Sequence, residues 1–380
     1  MDRKKQRNTA LVVTSRNVHL YIVAPVIDEL TQRDWNVRVL RLERIWERAE
    51  RFLSKTTKRR SLESFYEKPK PTKPSKRKYS FYDVLARVIF QIANFLRLER
   101  PSIIIVMTDS TPPCRLAVLV GKLAGIPTLL LLHSGMVGRN YDCPVFLVDK
   151  IAVTGEFVQK ILMACGVAED KLVITGRPSY DWLIEAQRHF NKEAICRRLG
   201  LDPAKKIIVY TTENLPQQEN RKMARIICET VREFSDIEFV IKVHPSELDL
   251  SVYENLTKEF GLKALITRQA HIYEVLYVAD IVITGFSATA LDALILQKSV
   301  VSVNLTGLKD PLPFAESGAA IGVYKGKDLD EAIQKGLYDE HFRESLERAR
   351  EEFVYEQAYK LDGKATARVV SLIEQMVNDD

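Results

Sequence analysis

Short runs of consecutive apolar residues alternate with longer segments whose apolar residues recur three and four apart, and this happens in two successive series along the chain. The first series predicts strands over 9–14, 36–42, 103–107, 127–132, 150–153 and 171–175, with helices over 18–33, 111–124 and 156–165 between them. The second predicts strands over 206–211, 238–243, 264–266, 281–284 and 300–303, with helices over 219–234, 252–260, 272–278 and 288–296. Runs apolar on both faces belong inside a parallel sheet covered by helices on each side. The expected fold class is therefore α/β, with two doubly wound Rossmann-like domains, and 380 residues are enough for two separate cores. The expected divisions are 1–182, 190–355 and a helix over 356–380 that crosses back to the first domain.

The two series are interrupted once. Residues 51–80 hold eleven Lys or Arg against Glu63 and Glu67, so the net charge of +6 is concentrated there, and the run from Lys68 to Lys78 is rich in Pro and Lys. Such a stretch cannot bury a core and is expected to be an extended linker. An amphipathic helix over 81–97 follows, with Val84, Leu85, Val88, Ile92 and Phe95 on one face. Two readings of 51–97 stay open: a peripheral contact with an anionic membrane, or a solvated loop whose helix packs on its own domain. Nucleic acid is not an expected partner, because the basic run has no recognisable binding fold, and no oligomeric state is assigned.

No apolar run approaches the ~20 residues that span a bilayer, and no export signal follows Met1, so a cytoplasmic location is expected. Five cysteines, at 114, 143, 165, 196 and 228, form no CxxC pair and are expected to be reduced thiols. No HExxH or clustered Cys/His set appears, so no resident metal is expected, with Mg²⁺ arriving on a donor left open.

Ligands of open α/β sheets sit beyond the carboxyl ends of the strands. The residues at those places are Thr14-Ser-Arg16, Asp109, His133-Ser134-Gly135, Thr212-Glu213-Asn214, Lys242-Val-His244-Pro245, and Thr284-Gly285-Phe-Ser287-Ala288-Thr289 leading to Asp292. The last is the most informative. A small-residue turn opening a helix presents main-chain N–H groups and the positive end of the helix dipole, which suits a diphosphate. Read blandly, Ser287 is only a helix cap and His244 a hydrogen-bonded strand-end histidine.

The segments Val12-Val-Thr-Ser-Arg16, Ala24-Pro-Val-Ile-Asp-Glu-Leu30 and Val173-Ile-Thr-Gly-Arg177-Pro-Ser-Tyr-Asp181, with Asp109, Gly135, Glu213-Asn214, His244-Pro245 and Ser287, resemble the non-hydrolysing UDP-N-acetylglucosamine 2-epimerases. The likeness extends over most of the chain outside residues 45–100. It implies the two-domain GT-B architecture, phosphates held by Ser287, Ala288 and Thr289, and Asp292 where that family's ribose-binding Glu stands. The departures concern catalysis: His133-Ser-Gly-Met-Val replaces Glu-Ala-Gly-Leu-Arg, Tyr210-Thr-Thr replaces His-Arg-Arg, and no Pro-Glu-Glu carboxylate lies near Cys143–Lys150. Epimerisation requires such acids and bases, so an epimerase or hydrolase is the second reading.

The His133-Ser-Gly and His244-Pro elements are similar instead to those of CDP-glycerol glycerophosphotransferases and capsule polysaccharide glycosyltransferases. That resemblance implies a glycosyltransferase with a nucleotide-sugar donor, UDP-linked ahead of CDP- or CMP-linked, and a polysaccharide or lipid-linked acceptor. The expected roles are His133 as acceptor base, His244 as partner of the departing diphosphate, and Asp109 as a further catalytic group. Arg16, Ser134, Gly135, Arg177, Thr212, Glu213, Lys242, Gly285, Ser287, Ala288, Thr289 and Asp292 are expected to bind the donor. A nucleotide-sugar binder without catalysis is the third class, disfavoured by two histidines and Arg16 converging on one cleft.

Overall fold

The computed structural model describes residues 7–14, 18–41, 81–109, 111–132, 146–213, 215 and 217–379. The basic run 51–80 and the residues Arg16, His133, Ser134, Gly135 and Asn214 lie outside this set.

The amino-terminal lobe begins β1 (Thr9–Thr14), α1 (Val18–Gln32) and β2 (Asn36–Arg41), and resumes with α2 (Phe81–Glu99), β3 (Ile103–Val106), α3 (Pro112–Leu123) and β4 (Thr128–Leu131). It ends with β5 (Lys150–Val153), α4 (Glu156–Ala164), β6 (Leu172–Ile174) and α5 (Pro178–His189). Its six strands are parallel, in the order β2-β1-β3-β4-β5-β6. Alternate residues enter opposite layers. Leu11 and Val13 join Val88, Ile92 and Leu96 of α2, whereas Ala10 and Val12 join Val23 and Val26 of α1. This is the both-faces burial that continuous apolar strands require.

The carboxyl-terminal lobe follows α6 (Lys192–Leu199) with β7 (Lys206–Thr211), α7 (Gln217–Val231), β8 (Ile237–Lys242), α8 (Ser251–Glu259), β9 (Ala264–Thr267) and α9 (Ile272–Val278). It continues with β10 (Ile281–Thr284), α10 (Ala288–Ile295), β11 (Ser299–Val303), β12 (Ile321–Val323), α11 (Leu329–Tyr338), α12 (Glu340–Ala358) and α13 (Ala365–Asn378). The parallel sheet runs β12-β11-β10-β7-β8-β9, the doubly wound order whose switch point lies between its first strand, β7, and β10. Helix ends obey local chemistry: Asn191 Oδ1 accepts from Ala194 N at 2.8 Å to start α6, and Gly200 ends it with φ +71°.

The chain passes between the lobes twice, at neighbouring places. Helix α5 packs on α1 and α13 yet places Tyr180 and Leu183 in the carboxyl-terminal core, so the junction expected between 182 and 190 lies within a helix. Helix α12 packs on α4 and also contributes Phe353 and Val354 to that core. Helix α13 then returns to the first lobe, burying Val369, Val370 and Ile373 beside β1 and β3. The two passages are tied together. Asp181 accepts from the main-chain N–H groups of Ala365 (3.0 Å) and Thr366 (2.7 Å), and Arg368 Nε donates to the Thr175 carbonyl at 2.7 Å. At Gly155 a Cβ would lie 2.2 Å from the Glu356 carbonyl oxygen, so only glycine admits the second passage.

Cys114, Cys196 and Cys228 are buried thiols, but Cys165, the residue that ends α4, is disulfide-bonded. This corrects the expectation of five reduced thiols: sequence spacing reports local pairs, whereas folding sets which distant cysteines meet. Among the described residues no helix is long and apolar enough to cross a membrane.

Candidate functional site at the strand ends of the carboxyl-terminal lobe

Strands β7 and β10 are hydrogen-bonded neighbours, with Ile283 beside Tyr210, and the connections leave them in opposite directions across the sheet. A crevice opens where they part. Thr211, Thr212 and Glu213 enter it from β7, and Gly285, Phe286 and Ser287 enter from β10. Ser287 caps α10, its Oγ accepting from Thr289 N at 3.2 Å. Ser287 and Thr289 are half-buried and Ala288 is exposed, so the turn opens to solvent. The cap therefore exists, at the mouth of an accessible helix amino terminus.

Glu213 lies against this turn. A Cβ on Gly285 would sit 2.8 Å from its Oε1, so the close approach needs glycine. Burial lifts the Glu213 carboxyl to about 7, against the pull of the Gly285 and Phe286 main-chain N–H groups. Its own main-chain carbonyl is held by the buried Asn220, whose Nδ2 donates at 2.8 Å.

The His244-Pro245-Ser246-Glu247 turn after β8 is built from the inside. Thr212 Oγ1 accepts from His244 N at 2.8 Å and donates to the Glu247 carboxylate, which also accepts from Tyr253 Oη at 2.6 Å. His244 Nδ1 accepts from Ser246 N at 3.1 Å, which leaves Nε2 to carry the proton of the neutral ring. Burial, aided by Lys242, lowers the His244 pKa. The imidazole is thus arranged to donate from Nε2. Lys242 is buried and spends its ammonium on the carbonyls of Arg268 (2.9 Å) and Val243 (3.2 Å), so it supports the turn.

Asp292 stands in a different group. It faces Arg177 and Tyr180 from the first passage between lobes, with Tyr273 of α9 alongside. Arg177 donates to Tyr180 Oη at 3.3 Å and lies 5.0 Å from its ring centroid. Burial raises the Asp292 carboxyl to about 6, opposed by the Arg177 charge and the Tyr180 hydroxyl.

In the amino-terminal lobe Asp109 follows β3, next to the β1/β3 switch point. It is buried, its Oδ2 accepts from Leu147 N, and burial raises its pKa above the usual carboxylate value. The structure therefore brings Thr212, Glu213, Lys242, His244, Gly285, Ser287, Ala288 and Thr289 to one sheet edge. It sets Arg177 with Asp292 beside the lobe junction, and Asp109 on the other sheet.

Buried polar atoms without a hydrogen-bond partner mark the same places: Thr211 Oγ1, Glu213 Oε1 and Thr284 Oγ1 in the crevice, Arg177 Nε and Asp292 Oδ1 at the junction, and Asp109 Oδ1 opposite. Thr154 Oγ1 at the end of β5, and Ser179 Oγ, Gln357 Nε2 and Thr366 Oγ1 in or beside the two passages, are unpartnered as well, so these atoms are shared between strand ends and the lobe junction. Sequence reasoning missed Thr211, Glu247, Tyr253, Tyr180 and Tyr273. The final residue of a strand at a switch point was an available signal for Thr211. Tyr180 lies within the Val173–Asp181 segment that carries the resemblance, though it was given no role there, and Tyr273 is a non-local partner with no signal. Among the described residues no three His, Cys, Asp or Glu side chains gather into a metal-binding group.

A family model described as CDP-glycerol:poly(glycerophosphate) glycerophosphotransferase matches residues 138–375, the whole carboxyl-terminal lobe and both passages between lobes. The chain belongs to that family. No curated protein matches it by sequence. Among solved structures, the Neisseria meningitidis UDP-GlcNAc 2-epimerase bound to UDP-GlcNAc is 16% identical with a TM-score of 0.65, over 97% of this chain and 100% of that one. A glycosyltransferase from Rickettsia africae is 13% identical, TM-score 0.62, over 99% and 100%. Acinetobacter baumannii MurG is 14% identical, TM-score 0.60, over 97% and 99%. The glycerophosphotransferase-family chain thus has the GT-B fold expected from its sequence, and is an enzyme of the transferase class.

Proposed function

We propose that this transferase moves glycerophosphate, the distal phosphate of a nucleotide diphosphate with the glycerol it bears, onto a hydroxyl of a growing surface polymer or lipid-linked acceptor. The observation that carries the reading is the open Gly285–Thr289 turn at the β7/β10 switch point, at the same end of the sheet as an imidazole held as an Nε2 donor after β8. Main-chain N–H groups at a helix start suit phosphate oxygens, and His244 Nε2–H suits the charge that develops on the leaving phosphate. In glycerophosphate transfer the acceptor oxygen attacks the distal phosphorus, its proton passes to a base, and CMP departs. His133 is proposed as that base, with Asp109 and Arg16 as further groups of the same site; the donor's own Mg²⁺ is compatible with this scheme.

Inverting transfer of a sugar, releasing UDP, is the second reading, favoured by the likeness of the whole fold to a protein bound to UDP-GlcNAc. Incubation with CDP-glycerol and with UDP-N-acetylglucosamine separates the readings by product: CMP, UDP or an epimerised sugar. Release of none of these, with a polymer acceptor present, refutes the proposal. His133→Ala is expected to abolish transfer and to retain donor binding; normal turnover in that variant removes the role of base.

A lipid-linked acceptor requires the enzyme to meet a membrane. In support, α2 exposes Phe90 (71%) and Leu98 (65%) among Arg87, Arg97 and Arg100, and α3, packed on it, exposes Leu119 and Leu123 beside Lys122. Apolar tips ringed by cations complement an anionic bilayer. Phe90→Ser with Leu123→Ser should reduce co-sedimentation with phosphatidylglycerol vesicles; equal pelleting by variant and wild type refutes docking through this face.

A further inference from the structure

The turn proposed to receive phosphate already has an anion beside it. Glu213 leaves β7 at the switch point, and its carboxylate lies against Gly285, where the main-chain N–H groups of Gly285 and Phe286, the two residues that lead into the cap of α10, favour its charged form. The approach is close enough to exclude any side chain at position 285, with Oε1 and Oε2 at 2.8 and 3.0 Å from the site of a Cβ. Oε1 is buried and unpartnered. A carboxylate and a phosphate cannot both occupy one pair of amides without strong repulsion.

We propose that Glu213 is a proton-linked gate: its carboxylate holds the Gly285 and Phe286 amides in the empty enzyme, and a nucleotide diphosphate takes them over as Glu213 accepts one proton from solvent. The gate rests on the nucleotide reading above and adds a binding determinant to it. The neutral carboxylic acid then presents an O–H to a phosphate oxygen where the carboxylate presented a charge.

The groups around the gate are accounted for. Tyr210 on the same strand senses the Glu213 charge, and its phenol, deeply buried, stays protonated. From the β8 turn come Lys242 on its two carbonyls, His244 on Ser246, and Glu247 on Thr212 and Tyr253. From α10 comes Asp292, beside Arg177. None of these donates a hydrogen bond to the Glu213 carboxylate among the described residues. The burial that favours the neutral acid, placing its titration at about 7, makes the proton available at ordinary pH.

The test is titration calorimetry of the full chain with CDP-glycerol and with UDP-N-acetylglucosamine, diphosphate diesters that carry no titrating phosphate near neutrality. Each is measured at pH 6 and pH 8, in buffers of different ionisation enthalpy. The wild type should bind about tenfold more weakly at pH 8 than at pH 6 and take up about one proton per nucleotide at pH 8. Glu213→Gln should bind with less than a twofold difference between the two pH values and take up none. Wild-type binding without proton uptake overturns the gate alone, as does an unchanged tenfold dependence in Glu213→Gln, which would move the linkage to His244. Absence of binding by both proteins at both pH values overturns the nucleotide reading and the gate with it.

Discussion

Replacing Thr212 with Val tests whether the His244 turn is held from beneath. The side chains are nearly the same shape, so the change removes two hydrogen bonds and little volume. Thr212 Oγ1 accepts from His244 N at 2.8 Å and donates to Glu247, and Thr212 is only 4% exposed. Valine leaves a main-chain N–H without an acceptor, costing about 1–3 kcal/mol, and removes a bond to a charged carboxylate worth about 1.5–3 kcal/mol. A loss of about 3–5 kcal/mol in stability is expected from urea unfolding followed by fluorescence and circular dichroism, with Thr212→Ser recovering most of it. The same bonds aim the imidazole, so donor turnover should fall at least about tenfold at a temperature where the variant remains folded. Stability within about 0.5 kcal/mol of wild type, together with normal turnover, would refute the reasoning.

His244→Ala should lower turnover by about a hundredfold, the usual consequence of losing one donor to developing charge; a change in KM alone would assign His244 to ground-state binding. Asp181→Ala removes the carboxylate that caps α13 and should cost about 1–2 kcal/mol in thermal or urea unfolding, with a null result showing that the helix docks by its apolar face alone. The Asp292 carboxyl is raised from 3.8 to about 6 in the folded chain. Its neutral form is the one the fold favours, so the associated stability is present below pH 3.8 and lost as pH rises towards 6. Asp292→Asn should flatten the stability profile across that interval, and an unchanged slope would contradict the assignment.

Most of the fold was legible because parallel strands buried on both faces leave so strong a mark. The strands over 9–14, 150–153, 206–211 and 281–284 have the ends read from sequence, and the remaining strands agree within one or two residues. β12 was not legible. Ile321-Gly322-Val323 is three residues long with a glycine at its centre, and only pairing with β11 makes it a strand. The last helix was expected to begin at 356, yet the preceding helix runs to Ala358 and the chain turns at Tyr359, where φ is +60°, before α13 begins at Ala365. The Asp362-Gly363 pair, with Gly363 at φ +71°, is the local signal for that turn. The same distinction separates the site residues. Thr212, Glu213, His244 and Gly285–Thr289 could be found from their position after strands, which is local information. That Glu213 rests on Gly285, that Thr212 supports His244, and that Lys242 turns to main-chain carbonyls are consequences of strands β7, β8 and β10 lying side by side.

Two tethers set side by side act differently from one. A single connection would let the carboxyl-terminal half swivel and slide freely about the first. With residues 175–181 and 358–368 laced to each other by Asp181 and Arg368, sliding would have to tear that lacing, whereas rocking about the line through both tethers leaves it whole. A change in the relation of the two halves that keeps this lacing whole is therefore expected to be a rocking about both tethers.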